Sequence, residues 1–320
     1  DRDLLLRDPP RDFDTDDGGE IDLARLEARA LSCEDAARAV EGITNSGGGG
    51  ASASRSTFAL ATSHGFAAAR TGTSHSIYAS VIAGVGERMQ RDYAQSSARH
   101  LEDVESAEII GTRAGERTVA RLDPVKPKSG ALPVLFDKRV SPGLIGHLAG
   151  AINGTAIARG TSFLDDPQAQ LFAPDIRIVE DPHRPRGQRS RAFDGEGVAT
   201  RARDIVADGR LTGWLMNAAA ARQLGLAPTG HAARGTGGPP GIGMSNVHLQ
   251  AGSTRLSDMI AGIDRGVLIS ELIGQGVSLV TGDYSRGAGG FLIEKGEITR
   301  AVNGITIAGN LKDMFAHMIP

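Results

Sequence analysis

Forty-three of the 320 residues are glycine, nearly twice the usual share of about 7%. No Gly-X-Y period runs through them, which excludes a collagen-like rod. They sit between short apolar runs, and that spacing predicts many turns, bends and close backbone approaches. Two dipeptides locate turns directly. Asp208-Gly209 separates Asp204–Ala207 from Leu211–Leu215, and Lys295-Gly296 separates Phe291–Glu294 from Glu297–Val302; both patterns read as β-hairpins. Regular alternation of strand and helix is absent, which argues against a doubly wound parallel sheet. Hydrophobic residues make up 40% of the chain, enough for a core at this length. Domains of about 100–200 residues make two the natural expectation.

Residues 1–20 read as a polar connector. Apolar positions from Ile21 to Val40 recur at helical spacing, with Gly42 ending the helix. Asn45 to Gly50 reads as a turn-rich loop. A strand through Phe58, Leu60 and Thr62, a turn at His64-Gly65 and a second strand across Ala67–Ala83 form a hairpin or part of an antiparallel meander. Residues 102–122 read as helical, and Pro124 to Pro133 as a boundary. Beyond it come a short strand at Leu132–Phe136 and a single helix over Leu144–Ala158. Gly146, Gly150 and Gly154 in that helix imply close packing against another backbone, because glycine costs a helix interior about 1 kcal/mol relative to alanine. Ile176–Val179 reads as a strand, and Asn217–Leu224 and Ser257–Ile263 as short helices. The expected class is α+β, with an N-terminal helix plus antiparallel-strand domain over residues 1–125. A β-rich, barrel-like C-terminal domain with inserted helices follows over residues 126–320. A first residue other than Met and an abrupt last segment read as truncation at both ends.

The 35 basic and 38 acidic side chains leave a net charge of −3, which argues against direct nucleic-acid binding through phosphates. The lone Cys33 excludes an internal disulfide framework and a cysteine-only metal site, and fits a reducing cytoplasm. No apolar run of about 18 residues predicts a membrane span, and no signal peptide opens the chain. Gly235–Gly241 lacks the Lys-Ser/Thr pair of a phosphate-binding loop and reads as structural. The arginine-rich stretch Asp181–Arg191 has no interleaved aromatics and is flanked by acids, so it reads as a salt-bridged loop or subunit contact. None of the eight histidines lies in a His-x-x-x-His or His-Glu-x-x-His pattern. Ser285 lacks the Gly-x-Ser-x-Gly elbow of a hydrolase nucleophile. Gly282–Gly290 sets Asp283, Tyr284, Ser285 and Arg286 among glycines before a strand. These four are candidates for lining a substrate cleft; the alternative is a polar turn in which Arg286 pairs with Asp283.

Several separate segments, in order, carry a family resemblance. They include Pro133–Asp137, Gly146-His147-Leu148-Ala149-Gly150-Ala151-Ile152-Asn153-Gly154, Phe193–Gly197, Ala221–Leu226, Thr281–Gly287 and Ile307–Phe315, with Thr71–Ser76 in the first half. Together they resemble the PmbA/TldE branch of the TldD/PmbA family. The resemblance spans nearly the whole chain from about residue 20. It implies a subunit of a cytoplasmic metalloprotease complex that trims unfolded peptides, with zinc carried by a TldD-type partner subunit in a His-Glu-x-x-x-His helix. An older family label concerns DNA gyrase; the weakly acidic charge gives that no support.

In this chain the matching window begins at His147. Leu148 stands where Glu would activate water, and Ile152 where the second His would bind metal. Leucine accepts no proton and isoleucine ligates no zinc, so His147 is one of the three ligands a catalytic zinc usually needs. The five-residue spacing turns those positions about 140° apart on a regular helix, so an intact motif would need a distortion such as a π-bulge. The third-ligand region would lie past Pro320, and Cys33 is a poor substitute. The expected chain therefore has no zinc of its own, helps to form the substrate cleft, and forms homodimers in its partner's absence. An autonomous hydrolase and a non-catalytic peptide-binding homo-oligomer remain as alternatives.

Overall fold

The computed structural model describes residues 2–320. In the first half, helix α1 (Leu23–Arg38) starts where the Asp22 carboxylate accepts hydrogen bonds from the Ala24 and Arg25 amides. Strands β1 (Ile43–Ala61), β2 (Ala67–Ala83) and β3 (Gln90–Ala98) form an antiparallel meander in the order β1-β2-β3. Helix α2 (Ala107–Val119), capped by the Ser106 hydroxyl, lies beside α1 on one face of that sheet. The layer between them is built from small and branched side chains, among them Cys33, Ala37, Ile77, Val81, Ile110 and Ala114.

The loop expected at Asn45–Gly50 is instead part of β1. Its glycines permit close approach: a Cβ on Gly49 would lie 2.6 Å from the Ala30 carbonyl oxygen of α1, and one on Gly50 would lie 2.5 Å from the Tyr78 ring. A register shift between Ser46 and Gly48 absorbs the local irregularity. The hairpin of β1 and β2 follows the expected second strand residue for residue. β3 completes the meander; its many polar residues hide its strand character, although alternate positions Gln90, Asp92 and Ala94 are buried.

Residues 120–133 lead into the second half. Its elements are β4 (Val134–Phe136), α3 (Pro142–Ala151), α4 (Gly154–Ala158), β5 (Ile178–Glu180), β6 (Arg203–Ala207), β7 (Arg210–Leu211), α5 (Ala218–Leu224), β8 (Ala232–Ala233) and β9 (Gly241–Ile242). Then come β10 (Val247–Leu249), α6 (Leu256–Ala261), β11 (Arg265–Ile273), β12 (Asp283–Glu294), β13 (Glu297–Asn310) and α7 (Leu311–Ala316). One sheet has the order β10-β5-β6-β7, another β13-β12-β11-β4, and β8 pairs with β9. Among the named strands described, only β4 and β11 pair in parallel. The class is therefore α+β, but no sheet among the described residues closes into the expected barrel. β13 and β4 lie at opposite edges of their sheet, and the strands of the other four-stranded sheet are only two to five residues long. Both expected hairpin turns are present. Asp208 and Gly209 have φ of 50° and 73°, and Lys295 and Gly296 have φ of 54° and 81°, as a two-residue turn with left-handed positions requires.

The expected single helix over Leu144–Ala158 is two helices. The chain breaks at Ile152 and Asn153, where the Asn153 side chain accepts from the Thr155 amide and starts α4. The glycines there differ in purpose. A Cβ on Gly154 would meet the Leu215 carbonyl oxygen at 2.7 Å, and one on Gly150 the Leu279 side chain at 2.7 Å, whereas Gly146 faces nothing within 4 Å. Only Gly154 of the three thus presses on another backbone. The main core of this half buries Leu144, Leu148, Ile152, Ile178, Leu215 and Phe315.

Candidate functional site

His147 of helix α3 meets Tyr284 of β12. The rings stand edge to face, with centroids 5.9 Å apart and planes at 78°. Burial and the nearby Arg286 guanidinium hold the His147 imidazole below its ordinary value, favouring the neutral ring. Burial pushes the Tyr284 phenol up, with Arg286 opposing it in part. The Tyr284 hydroxyl makes no hydrogen bond to a protein group, although the side chain is 1% exposed.

The rest of the window turns away from any metal chemistry. Leu148 is 1% and Ile152 0% exposed, and both are built into the main core. The Ile152 amide donates to the Leu148 carbonyl at 2.9 Å, an α-helical bond, and the chain then leaves the helix with no π-bulge. Among the described residues no group of three or more His, Cys, Asp and Glu side chains is placed to hold a metal. Cys33, on the buried face of α1, is fully buried, with its thiol pushed up to about 11 chiefly by burial. A zinc ion does not fit a donor set of one imidazole flanked by a buried leucine and isoleucine.

Asp283–Arg286 is the start of strand β12, not the loop read from its glycines. Strand alternation then divides the four candidates. Tyr284 is buried and Arg286 half-buried on one side, while Asp283 and Ser285 are exposed on the other. Asp283 does not pair with Arg286. Its carboxylate accepts from the Thr281 hydroxyl at 2.6 Å and from the Asn310 amide at 3.3 Å, tying the turn to the end of β13. Ser285 has no histidine partner; its backbone amide donates to the Gly276 carbonyl.

Arg286 instead borders a cavity of about 360 Å³ between the two halves of the chain. Buried Arg121 pairs there with Asp92 and with Glu271, and Arg139 donates to Asp92 at 2.8 Å. These charges come from positions 92 to 286, so nothing in the local sequence announces their meeting. A second groove of about 520 Å³ runs beside Arg184–Arg189. The arginine stretch is a salt-bridged loop, but with acids far from those flanking it in sequence. Arg186 reaches Asp14, Glu102 and Asp103 at 2.6, 2.6 and 3.1 Å.

A Thr–His–Glu chain also escapes sequence reading. Thr229 Oγ1 lies 2.7 Å from His231 Nδ1, and His231 Nε2 lies 2.6 Å from Glu180. Both His231 and Glu180 are almost wholly buried, and Thr229 also accepts the Met216 amide. It joins β5 to the segment before β8; none of the three side chains lines either cavity above, although Ser245, whose amide donates to Glu180, lines the groove beside Arg184–Arg189.

The profile of the PmbA/TldA metallopeptidase central domain matches residues 16–122, and that of the C-terminal domain matches residues 129–320. The chain belongs to the TldD/PmbA family. It is 40% identical to the metalloprotease PmbA of Escherichia coli O157:H7, with 100% of this chain aligned to 69% of that protein. It is 36% identical to a PmbA homologue of Haemophilus influenzae at the same coverage of both chains. Among solved structures, one from Bacteroides thetaiotaomicron, named for a modulator of DNA gyrase, superposes with a TM-score of 0.91 at 25% identity. It covers 100% of this chain and 71% of the other. TldE from Thermococcus kodakarensis shares the fold, with a TM-score of 0.86 at 24% identity over 97% of this chain and 72% of that one. The TldD/PmbA chain described here is thus metalloprotease-like in family, while its His147 window lacks a metal-binding donor set. No described helix is long and apolar enough to cross a membrane.

Proposed function

We propose that this chain is the PmbA/TldE-type subunit of a TldD/TldE-like metalloprotease complex acting on unfolded peptides. It carries no complete zinc site and helps to form the substrate cleft around a TldD-type partner's metal. The observation that carries the reading is the conversion of the window after His147 into core: Leu148 and Ile152 are packed with Leu144, Leu215 and Phe315 rather than turned to a cleft. A family of metallopeptidases with such a member implies that another chain supplies the metal. The TldE structure of the same fold and a TldD homologue of Haemophilus influenzae, 27% identical over 64% of this chain and 43% of its own length, support the pairing. The peptide enters by adding a strand to an exposed sheet edge, where main-chain hydrogen bonds tolerate varied sequences. β1 and β13 are the longest edge strands available. A cytoplasmic setting agrees with the single reduced Cys33.

The test is zinc content and turnover of an unstructured peptide by the purified chain, alone and mixed with a TldD-type subunit. Less than about a tenth of a zinc per chain, with turnover only in the mixture, is the expected result. Near-stoichiometric zinc, or turnover by the chain alone, would sink the reading and favour an autonomous hydrolase. Peptide binding without turnover in the mixture would favour a binding homo-oligomer.

A further inference from the structure

The cavity between the halves is lined by three guanidinium groups, from Arg121, Arg139 and Arg286, and by two carboxylates, from Asp92 and Glu271. The carboxylates are already engaged. Asp92 takes Arg139 at 2.8 Å and Arg121 at 3.4 Å, and Glu271 takes Arg121. Arg286 makes no ion pair or hydrogen bond through its side chain to any described residue, and its buried Nε has no partner. Ser270, on the same wall and 6% exposed, also has a buried hydroxyl with no partner. Gly143, in the first turn of α3, lines the cavity as well. Ser141 makes no side-chain cap there, but the Gly143 and Leu144 amides are taken by the Val140 and Ser141 carbonyls, so the turn contributes only the positive end of the helix to the field.

Arg139 is countered by Asp137 as well, at 3.6 Å, which leaves Arg286 as the lining guanidinium without a carboxylate partner; with the unused Ser270 hydroxyl it forms a receptor for a single negative charge. A carboxylate meets those donors best, because a guanidinium binds its two oxygens in parallel. A dianion such as phosphate would bring its second charge against Asp92 and Glu271. The volume, about 360 Å³, is at the small end of ligand pockets, about 300–1,000 Å³. It holds one acidic group and the atoms beside it, not a whole peptide. We infer that this cavity is a carboxylate anchor, with Arg286 as its principal contact, for the C-terminal carboxylate or an acidic side chain of an extended peptide. The inference rests on the peptide-handling role proposed above and names the chemical class that the cleft selects.

The experiment measures binding of three labelled, N-acetylated Ala/Ser peptides to the full chain by fluorescence anisotropy. One ends in a free carboxylate, one is its C-terminal amide, and the third is the amide with one central Glu. At least one acidic peptide should bind tenfold or more tightly than the neutral amide, about 1.4 kcal/mol; which one does so tells whether chain end or side chain is the source. Arg286→Gln should abolish the preference, Arg286→Lys should retain part of it, and Ser270→Ala should reduce it, each with an unfolding midpoint near the parent's. Equal binding of all three peptides would overturn the anchor while leaving a strand-adding cleft intact. So would a preference that survives Arg286→Gln, or displacement by inorganic phosphate but not by acetate. Absence of binding by all three would also overturn it; the zinc and turnover measurements, made separately with the partner, would still decide the subunit assignment.

Discussion

The His147 ring stands edge-on to the Tyr284 ring, 5.9 Å between centroids, and so occupies a partly apolar site with the Arg286 charge nearby. Burial first, and Arg286 second, lower its pKa. The neutral imidazole is therefore the form the fold prefers. Its contribution to stability is full above the unfolded histidine value of about 6.5 and is lost as pH falls through the lower folded value. An NMR titration of the His147 ring should give a midpoint below that value, and Arg286→Gln should move it upward. A midpoint unaffected by the substitution would show that Arg286 does not act on the ring.

Tyr284 offers a separation of ring from hydroxyl. Its side chain is 1% exposed and its hydroxyl has no protein partner. Tyr284→Phe should change stability by less than about 1 kcal/mol, since no protein hydrogen bond is removed. Tyr284→Ala should cost about 3–5 kcal/mol, the usual loss for a buried aromatic. Urea unfolding of both variants checks the pair, and a Phe variant as damaged as the Ala variant would reveal a hydroxyl contact that matters.

Glycines at two helices should respond in opposite directions. A Cβ on Gly111 of α2 would lie 2.2 Å from the Cys33 carbonyl oxygen of α1. The clash is with backbone, so Gly111→Ala should destabilise by about 1–3 kcal/mol or more. Gly146 in α3 faces nothing within 4 Å, and Gly146→Ala should stabilise by about 0.5–1 kcal/mol through helix propensity alone. Thermal unfolding of the two variants reads the sign directly.

Glu180 should contribute to the loss of stability in acid. Burial would raise its carboxyl, but hydrogen bonds from His231 and from the Ser245 amide outweigh burial and hold it below the ordinary range. Its folded value is depressed, so the stabilisation is complete above the unfolded value of about 4.3 and disappears as pH falls through the folded one. Glu180→Gln should lower stability at neutral pH and flatten its decline below pH of about 4 relative to the parent. Denaturant titrations across that acid range test it; an unchanged acid slope would remove Glu180 as the group responsible.

What the sequence disclosed depended on how local the cause was. The hairpins at Asp208-Gly209 and Lys295-Gly296 were legible because a two-residue turn states its own geometry. The α1 helix and the long β2 strand were legible from periodicity. Gly49 and Gly50 misled because glycine signals both a turn and a close approach, and only the helix lying over them decides which. The same ambiguity turned Asp283–Arg286 from a loop into a strand whose alternation separates Tyr284 and Arg286 from Asp283 and Ser285. The loss of Glu and His character at Leu148 and Ile152 was visible residue by residue, but their place in the core was not. Least visible was the meeting of Asp92, Arg121, Arg139 and Glu271, since charges so far apart in the chain are joined only by tertiary folding.

The charged seam also bears on the order in which the molecule is made. Residues up to Leu122 emerge before the second half, and Asp92 already has Arg121 as a partner within that length. The surface awaiting Arg139 and Glu271 thus already carries an ion pair, whereas Phe13 and Phe66 find their later neighbours in Ala192 and Phe193. A nascent chain that waits behind a polar face has less exposed apolar surface through which to aggregate. The second half can then dock by bringing Arg139 to Asp92 and Glu271 to Arg121, exchanging water for ion pairs.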